Sequence, residues 1–493
     1  MKSIAETCDR ICSNKFFPIT FVVLAFLIVL MCSFASSPLF GLGLGDSSVY
    51  KMMGRVFLNG GVLYVDYFDH KGPYFYLFNA IGESISPAWG LFPLQAIWLS
   101  FSLILWFKTA RLFARPIYSF IVTLIAIALF IGIYEGGDLT EEFSLLPCSL
   151  SVYLALSFLL NHPDEKHDYW RSLVYGLCFG LAFLIRPNDA VMVCGGVMTG
   201  IFLYIIIRQK QYTTAILNAL TFLLGGFIMF APWIAYFAYH HALVDFYFGL
   251  IGFNMDYTGG LTNNLQNIRE IKILVLACII LVGLIITAKK PRLLWIVIPV
   301  SIFIILLFGR NNYPRYYITV IPAIFLLFFT MVFCQNIRKS VLIIAGVLLI
   351  ILGVSHIGIG RFTRIASHLA EGSIGQQFFA DKKEKNKEKD LLLFVPKEDR
   401  DSVWNYGDEF STLFYLANII AQNPVPPGIV GQHRPFPKEK EKRLHITLYK
   451  PLWVFMKNST YFFPEDSAFI AEHYAVVKES YPKKFMLLKR KDE

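Results

Sequence analysis

Charge is scarce in most of this chain. Of its 493 residues, 16% are Asp, Glu, Lys or Arg, against about 25% in an ordinary soluble domain. The shortage is local: the first 360 positions hold 40 charged residues and the last 133 hold another 40. With 56% hydrophobic residues and a mean hydropathy of +0.54, this excludes a soluble enzyme and a one-pass anchor. It also removes the case for reading the net charge of +10 as a nucleic-acid footprint. Cysteine is sparse too. There are eight, none beyond Cys334, so the C-terminal region has no disulfide framework. Those in or beside apolar runs read as small buried hydrophobes. The first apolar run, 17–37, lacks the small-residue cleavage site of a signal peptide and is kept as a span. The C-terminal region shows no phosphate-binding glycine pattern and no cluster of metal ligands. The chain as a whole shows no clear internal repeat.

What is present is a series of uncharged runs. A helix rises 1.5 Å per residue, so a hydrocarbon core of about 30 Å needs about 20 apolar residues. Runs at 17–37, 88–107, 116–133, 143–160, 172–185, 188–207, 213–239, 271–288, 293–308, 315–334 and 340–357 predict about eleven spans. The expected architecture is an all-α polytopic membrane body with interfacial helices over 1–360, a charged linker over 361–390, and a small extracytoplasmic α/β domain over 391–493. In that last domain LLLFV (391–395), VWNY (403–406), PLWVFMKN (451–458), AVVKES (475–480) and KFMLLKR (484–490) read as strands. TLFYLANII (412–420) has helical spacing, with Asp408 or Ser411 as its N-cap.

Orientation follows from the basic residues of the short loops. With the N-terminus in the cytoplasm, 15 Lys/Arg of the body fall on the cytoplasmic side and 8 on the other. An odd number of spans puts the C-terminal domain outside, in a multi-pass plasma-membrane protein. The acids of the body gather on the outer face, 12 of 17, and acids have little say in orientation.

The outer loops carry the candidate chemistry. The first, about 38–87, has Asp46 after a glycine-rich entry. Asp46 opens an amphipathic helix with Val49, Met52, Met53, Val56 and Phe57 on one face, expected to lie along the membrane surface. Asp66, Asp69, His70 and Lys71 follow, before a helix started by Pro73. Ionisable groups at interfacial depth are functional candidates; as an N-cap, Asp46 needs no further role. The second loop, YEGGDLTEEF, gathers Glu135, Asp138, Glu141 and Glu142. These are solvated loop acids or a cluster that binds a divalent metal or orients a sugar. Two further turns add cations: Arg186 in LIRPNDA, and Arg310, Tyr313 and Arg315 in GRNNYPRYY. Guanidinium groups on the side disfavoured for positive charge suit a phosphate, which they grip bidentately. Acids and cations at one interface fit a substrate with an anionic head and a long apolar tail, such as a polyprenyl-phosphate sugar. Its transfer needs a base for the acceptor hydroxyl and cations for the leaving phosphate.

GDSSVY followed by GRVFLNGGVLYVDYFDHKGPYFYLF resembles the first outer loop of polytopic GT-C fold glycosyltransferases, in the protein O-mannosyltransferase and aminoarabinose-transferase superfamily. LAFLIRPNDA, YPRYYITVIP and the acidic second loop with Thr140 and Glu141 resemble later segments of that family. The resemblance implies that Asp46 is the acceptor-activating base and that Lys71 contacts the lipid phosphate. Arg310 or Arg315 would assist, and Asp69, His70, Asp138, Glu141 and Tyr313 would line the substrate site. Gly72 stands where the family commonly has a proline and His70 where an acidic residue is frequent, so no metal site is carried over. The reading is a membrane glycosyltransferase acting on a polyprenyl-phosphate sugar and a hydroxyl-bearing acceptor (protein, lipid or glycan). Its rivals are a flippase for a lipid-linked glycan and a glycan polymerase. A flippase calls for repeats and broken mid-membrane helices; a polymerase would use a diphosphate-linked oligosaccharide donor.

Overall fold

The computed structural model describes residues 2–39, 45–257, 291–307, 314–320, 382–430, 441–457, 463–480 and 485–491. In chain order the helices are α1 (Lys2–Cys12), α2 (Ile19–Cys32), α3 (Asp46–Leu58), α4 (Pro73–Ile85), α5 (Leu91–Arg111), α6 (Pro116–Ile133), α7 (Thr140–Asn161) and α8 (Tyr169–Phe183). They continue as α9 (Pro187–Arg208), α10 (Tyr212–Tyr239), α11 (Leu243–Met255) and α12 (Leu294–Leu307). The C-terminal region gives α13 (Lys382–Leu393), β1 (Val403–Tyr406), α14 (Thr412–Ala417), β2 (Trp453–Lys457), α15 (Pro464–His473), β3 (Tyr474–Glu479) and β4 (Phe485–Arg490). Among the described residues, α5, α6, α7, α9 and α10 are each long and apolar enough to cross a membrane; α2, α11 and part of α12 are shorter apolar helices. The expected runs 271–288 and 340–357, and 315–334 beyond residue 320, lie outside the described residues.

The chain divides into two compact units, interleaved in sequence. One comprises residues 1–33, 92–236 and 258–374 and contains α1, α2, α5–α10 and α12, most of the apolar helices. Its interior is apolar: Phe21, Trp106, Phe130, Phe143, Phe158, Tyr175 and Tyr204 are fully buried. Helix α10 is the exception, with only 22% of its most apolar window buried and Leu220, Leu223 and Phe227 on its outer face, as expected of a helix against lipid. The expected break between the runs 172–185 and 188–207 is present. Helix α8 stops at Phe183, and Pro187 restarts the chain at the first turn of α9, where its missing N–H costs no bond. Helix α9 contains π-helical turns at Ala190–Gly195 and Tyr204–Arg208, each a local widening of the backbone.

The other unit comprises residues 34–91, 237–257 and 375–493, and so unites the segment carrying α3 and α4 with α11 and the C-terminal region. Its four-stranded sheet has the order β1-β2-β4-β3, with β1 parallel to β2 and the other pairs antiparallel. Trp404, Tyr406, Val454, Met456 and Leu488 form the core on one face with Ile470 of α15. The strands expected at 403–406, 451–458, 475–480 and 484–490 form, at 403–406, 453–457, 474–479 and 485–490. The one expected at 391–395 does not: Leu391–Leu393 end helix α13 instead. The preceding run KKEKNKEKD is rich in good helix formers, and a three-leucine continuation extends that helix more readily than it starts a strand.

A second departure concerns α3. Its burial is not confined to one apolar face. Every residue from Ser47 to Val56 is buried, Lys51 and Arg55 included. Both cations are buried because the protein supplies their partners. Lys51 Nζ donates to the Ala35 carbonyl. Arg55 Nη2 lies 2.6 Å from Glu83 Oε1 on α4, and Arg55 Nη1 donates to the Tyr415 carbonyl on α14 at 3.0 Å. The two helices meet backbone to backbone at Gly54: a Cβ there would lie 2.7 Å from the Ala80 nitrogen.

Candidate functional site

Asp46 begins α3. Gly45, immediately before it, has φ +100, a conformation that glycine adopts without steric cost, so the glycine-rich entry has a conformational reason. Asp46 is half-buried, while Ser47 and Ser48 behind it are buried.

The loop that carries Lys71 folds back on itself. Tyr64, with φ 67, donates its backbone N–H to the Tyr67 carbonyl at 2.9 Å. Its hydroxyl donates to the Lys71 carbonyl at 2.6 Å. The Lys71 backbone N–H donates to the Tyr76 hydroxyl at 2.8 Å, and that hydroxyl donates to Asp69 Oδ2 at 2.8 Å. Asp69 Oδ1 lies 3.2 Å from His70 Nδ1, and His70 Nε2 lies 2.5 Å from Lys71 Nζ. A lysine ammonium has only donors, so His70 Nε2 is the acceptor in that bond and the imidazole's other nitrogen faces Asp69. Burial works to raise the Asp69 carboxyl, but the positive charge of Lys71 and the hydrogen bonds from His70 overcome this and hold the group well below the usual carboxylate range. Asp69 is therefore an anion that orients His70, and His70 in turn orients Lys71. The half-exposed Lys71 has no carboxylate within ion-pair distance among the described residues.

Helix α11 backs this loop. Phe253 stacks on the His70 ring at 5.0 Å between centroids, and Asn254 Nδ2 donates to the His70 carbonyl at 2.8 Å. Both follow a π-helical turn, Phe248–Gly252. Tyr76, Phe253 and Asn254 are the residues that sequence reasoning missed. Tyr76 lies within the stretch it had singled out. Nothing in the α11 sequence marks it as a support.

The unit holding α5–α10 has its own polar cluster. Arg186 Nη1 lies 2.9 Å from Glu141 Oε1 and 3.0 Å from Asp189 Oδ1, and its guanidinium covers the Tyr316 ring at 4.2 Å. Thr319 Oγ1 donates to Asp189 Oδ1 at 3.3 Å. Arg315 Nη1 lies 3.6 Å from Glu135 Oε2. Glu142 accepts from the Tyr134 hydroxyl at 2.7 Å and from Gln95 Nε2 at 2.8 Å. Asp138 is fully buried in a left-handed turn after Gly136 and Gly137, both at positive φ. The structure thus brings Glu141 to Arg186, and sets Asp69, His70 and Lys71 in one array. Arg310 and Tyr313 lie outside the described residues. No group of three or more His, Cys, Asp or Glu side chains among the described residues is placed to hold a metal ion.

Residues 70–236 match the profile of the family described as dolichyl-phosphate-mannose-protein mannosyltransferase. No curated protein matches the chain by sequence. Among solved structures, ArnT from Cupriavidus metallidurans in the apo state superposes with a TM-score of 0.58 at 12% identity, covering 95% of this chain and 97% of that one. The same protein bound to undecaprenyl phosphate gives 0.56 at 11%, with the same coverage. The apo oligosaccharyltransferase of Archaeoglobus fulgidus gives 0.51 at 13%, covering 90% of this chain and 70% of that one. The fold is the GT-C fold of membrane glycosyltransferases. With the mannosyltransferase pattern in residues 70–236, the chain is a membrane glycosyltransferase.

Proposed function

We propose that this protein transfers a sugar from a polyprenyl-phosphate donor to an acceptor hydroxyl at the outer face of the plasma membrane, with its N-terminus in the cytoplasm and residues 391–493 outside. The observation that carries this is Lys71. It is a half-exposed cation whose ammonium is held by a histidine nitrogen rather than by a carboxylate. Its backbone is fixed on both sides by tyrosine hydroxyls. Such a lysine keeps its charge for an incoming anion, and ArnT, which has the same fold, has been solved with undecaprenyl phosphate bound.

In the reaction the acceptor oxygen attacks the sugar C1 and the bond from C1 to the phosphate oxygen breaks. The electron pair leaves with the lipid phosphate, where Lys71 stabilises it. The acceptor proton passes to the Asp46 carboxylate, which is half-buried at the first turn of α3. Attack opposite the leaving group inverts C1. Asp69 and His70 act by orienting Lys71.

The test is incubation of the purified protein with radiolabelled polyprenyl-phosphate sugars and membranes. Asp46→Asn should remove transfer while leaving the protein folded. Lys71→Ala should raise the donor KM. Undiminished transfer by Asp46→Asn would sink the assignment.

A further inference from the structure

The C-terminal region reads most simply as a cap, yet its contacts with the first outer loop are polar, buried and close to Asp46 and Lys71. The Thr412 hydroxyl donates to Ser48 Oγ at 3.0 Å. Ser48 lies two residues after Asp46 in the first turn of α3. The Tyr67 hydroxyl is hydrogen-bonded to Ser411 Oγ. The backbone N–H of Phe68 donates to the Pro424 carbonyl at 2.6 Å, and Phe68 and Asp69 lead directly to His70 and Lys71. Ser48, Tyr67, Ser411 and Thr412 are 2%, 1%, 1% and 7% exposed. Buried hydroxyls are tolerated when each finds its partner, so these two pairs fix a register that an apolar contact would leave loose.

The segment making the contacts is itself specially held. Ser411 has φ 55, a left-handed conformation uncommon for a residue with a side chain. It persists because the Ser411 N–H donates to the Asp408 carbonyl at 3.1 Å and the Asp408 carboxylate accepts from the N–H groups of Leu413 and Phe414 at 2.5 and 3.2 Å. Non-glycine residues kept in such conformations cluster at functional sites.

We infer that the turn Ser411–Thr412 is a positioning element of the transfer site: Thr412 sets the helix that presents Asp46, and Ser411, through Tyr67, sets the loop that presents Lys71. This rests on the roles proposed above for Asp46 and Lys71. The two contacts then have separable consequences. Loss of the Tyr67 contact disturbs phosphate binding, and loss of the Thr412 contact disturbs the chemical step.

The experiment uses the full-length protein in nanodiscs. Binding of undecaprenyl phosphate is measured directly. Single-turnover transfer is measured with a saturating radiolabelled polyprenyl-phosphate sugar. Tyr67→Phe should weaken undecaprenyl-phosphate binding on the order of ten-fold, the scale of one lost hydrogen bond, and change the saturated rate by less than about two-fold. Thr412→Val, close in shape, should slow the saturated rate on the order of ten-fold with binding unchanged, and Thr412→Ser should restore it. The inference is overturned if either variant leaves both quantities at wild-type values, or if binding, rate and melting temperature fall together in both, as a purely structural contact would make them. Asp46→Asn, run alongside, separates the two levels. A fully active Asp46→Asn enzyme refutes the assignment of the base. A dead one beside unaffected Tyr67→Phe and Thr412→Val enzymes refutes the positioning role alone.

Discussion

Glu83→Ala is the substitution whose effect the structure fixes most firmly. The side chains of Arg55 and Glu83 are 9% and 8% exposed. Glu83 Oε1 receives Arg55 Nε at 2.8 Å and Nη2 at 2.6 Å, and Oε2 receives the Tyr415 hydroxyl. Arg55 also covers the Tyr415 ring at 4.0 Å. Removing the carboxylate leaves a buried guanidinium with one backbone carbonyl and a ring face, and leaves the Tyr415 hydroxyl with the Pro87 carbonyl at 3.0 Å. Breaking a buried pair in this way costs about 3–5 kcal/mol. The loss should appear locally, where α3, α4 and α14 meet. Amide hydrogen exchange within 46–58 and 412–417 should accelerate on the order of 10²- to 10³-fold. The double substitution Arg55→Met with Glu83→Leu removes both charges and should recover most of that protection, because apolar replacement of a whole buried pair is often neutral or stabilising. If Glu83→Ala changes exchange there by less than about five-fold, roughly 1 kcal/mol, the pair is not sealed from water and the account of a buried α3 fails with it.

Two further outcomes follow from the same unit. Gly54→Ala should destabilise the α3–α4 pair by about 1–3 kcal/mol, because the new methyl meets backbone atoms of Asn79 and Ala80 at 2.8 and 2.7 Å; Gly132→Ala, with nothing within 4 Å, should leave the thermal midpoint unchanged or raised. Burial pushes the Asp408 carboxyl up to about 7, against hydrogen bonds from Phe414, Leu413 and Thr412 that lower it, with Glu388 adding to the rise. The folded state therefore holds the proton that the unfolded state has released, so stability falls as pH rises from about 4 to about 7, by a total of about 4 kcal/mol; Asp408→Asn should flatten that slope, read as thermal midpoint against pH, and an unchanged slope would refute it.

Much of this architecture was legible because the signals were long or stereochemically forced. Runs of about 20 uncharged residues gave α5, α6, α7, α9 and α10. Proline at the first helical position marked the start of α4. Four of the five strands expected in the tail form the sheet. Short or tertiary signals did not carry. LLLFV has the composition of a strand, but its first three residues belong to a helix nucleated upstream, and a five-residue apolar run has no period with which to decide. The pattern of α3 showed its apolar face but not the burial of the other, because hydropathy scores Lys51 and Arg55 as solvated. It cannot see a carbonyl from Ala35 or a carboxylate from Glu83 waiting for them. The joining of 34–91 with 237–257 and the C-terminal region into one unit is a matter of contacts between segments hundreds of residues apart, which no local pattern records.

The clustering of acids in the loops expected outside has a partial physical reason. A buried cation needs compensation. Arg55 has Glu83, Arg186 has Glu141 and Asp189, and Arg315 has Glu135. These acids match internal cations, so their presence alone does not require a substrate. Lys71 differs. Its near carboxylate, Asp69, is turned to Tyr76 and His70, and the ammonium meets the imidazole instead. Asp69 steadies the lysine at one remove without neutralising it by direct contact. A guanidinium locked between two carboxylates has little left to offer a phosphate, whereas an ammonium held by a histidine keeps two further donors. That difference in partners, more than the number of charges on the outer face, is what singles out Lys71 as the group prepared for an anion.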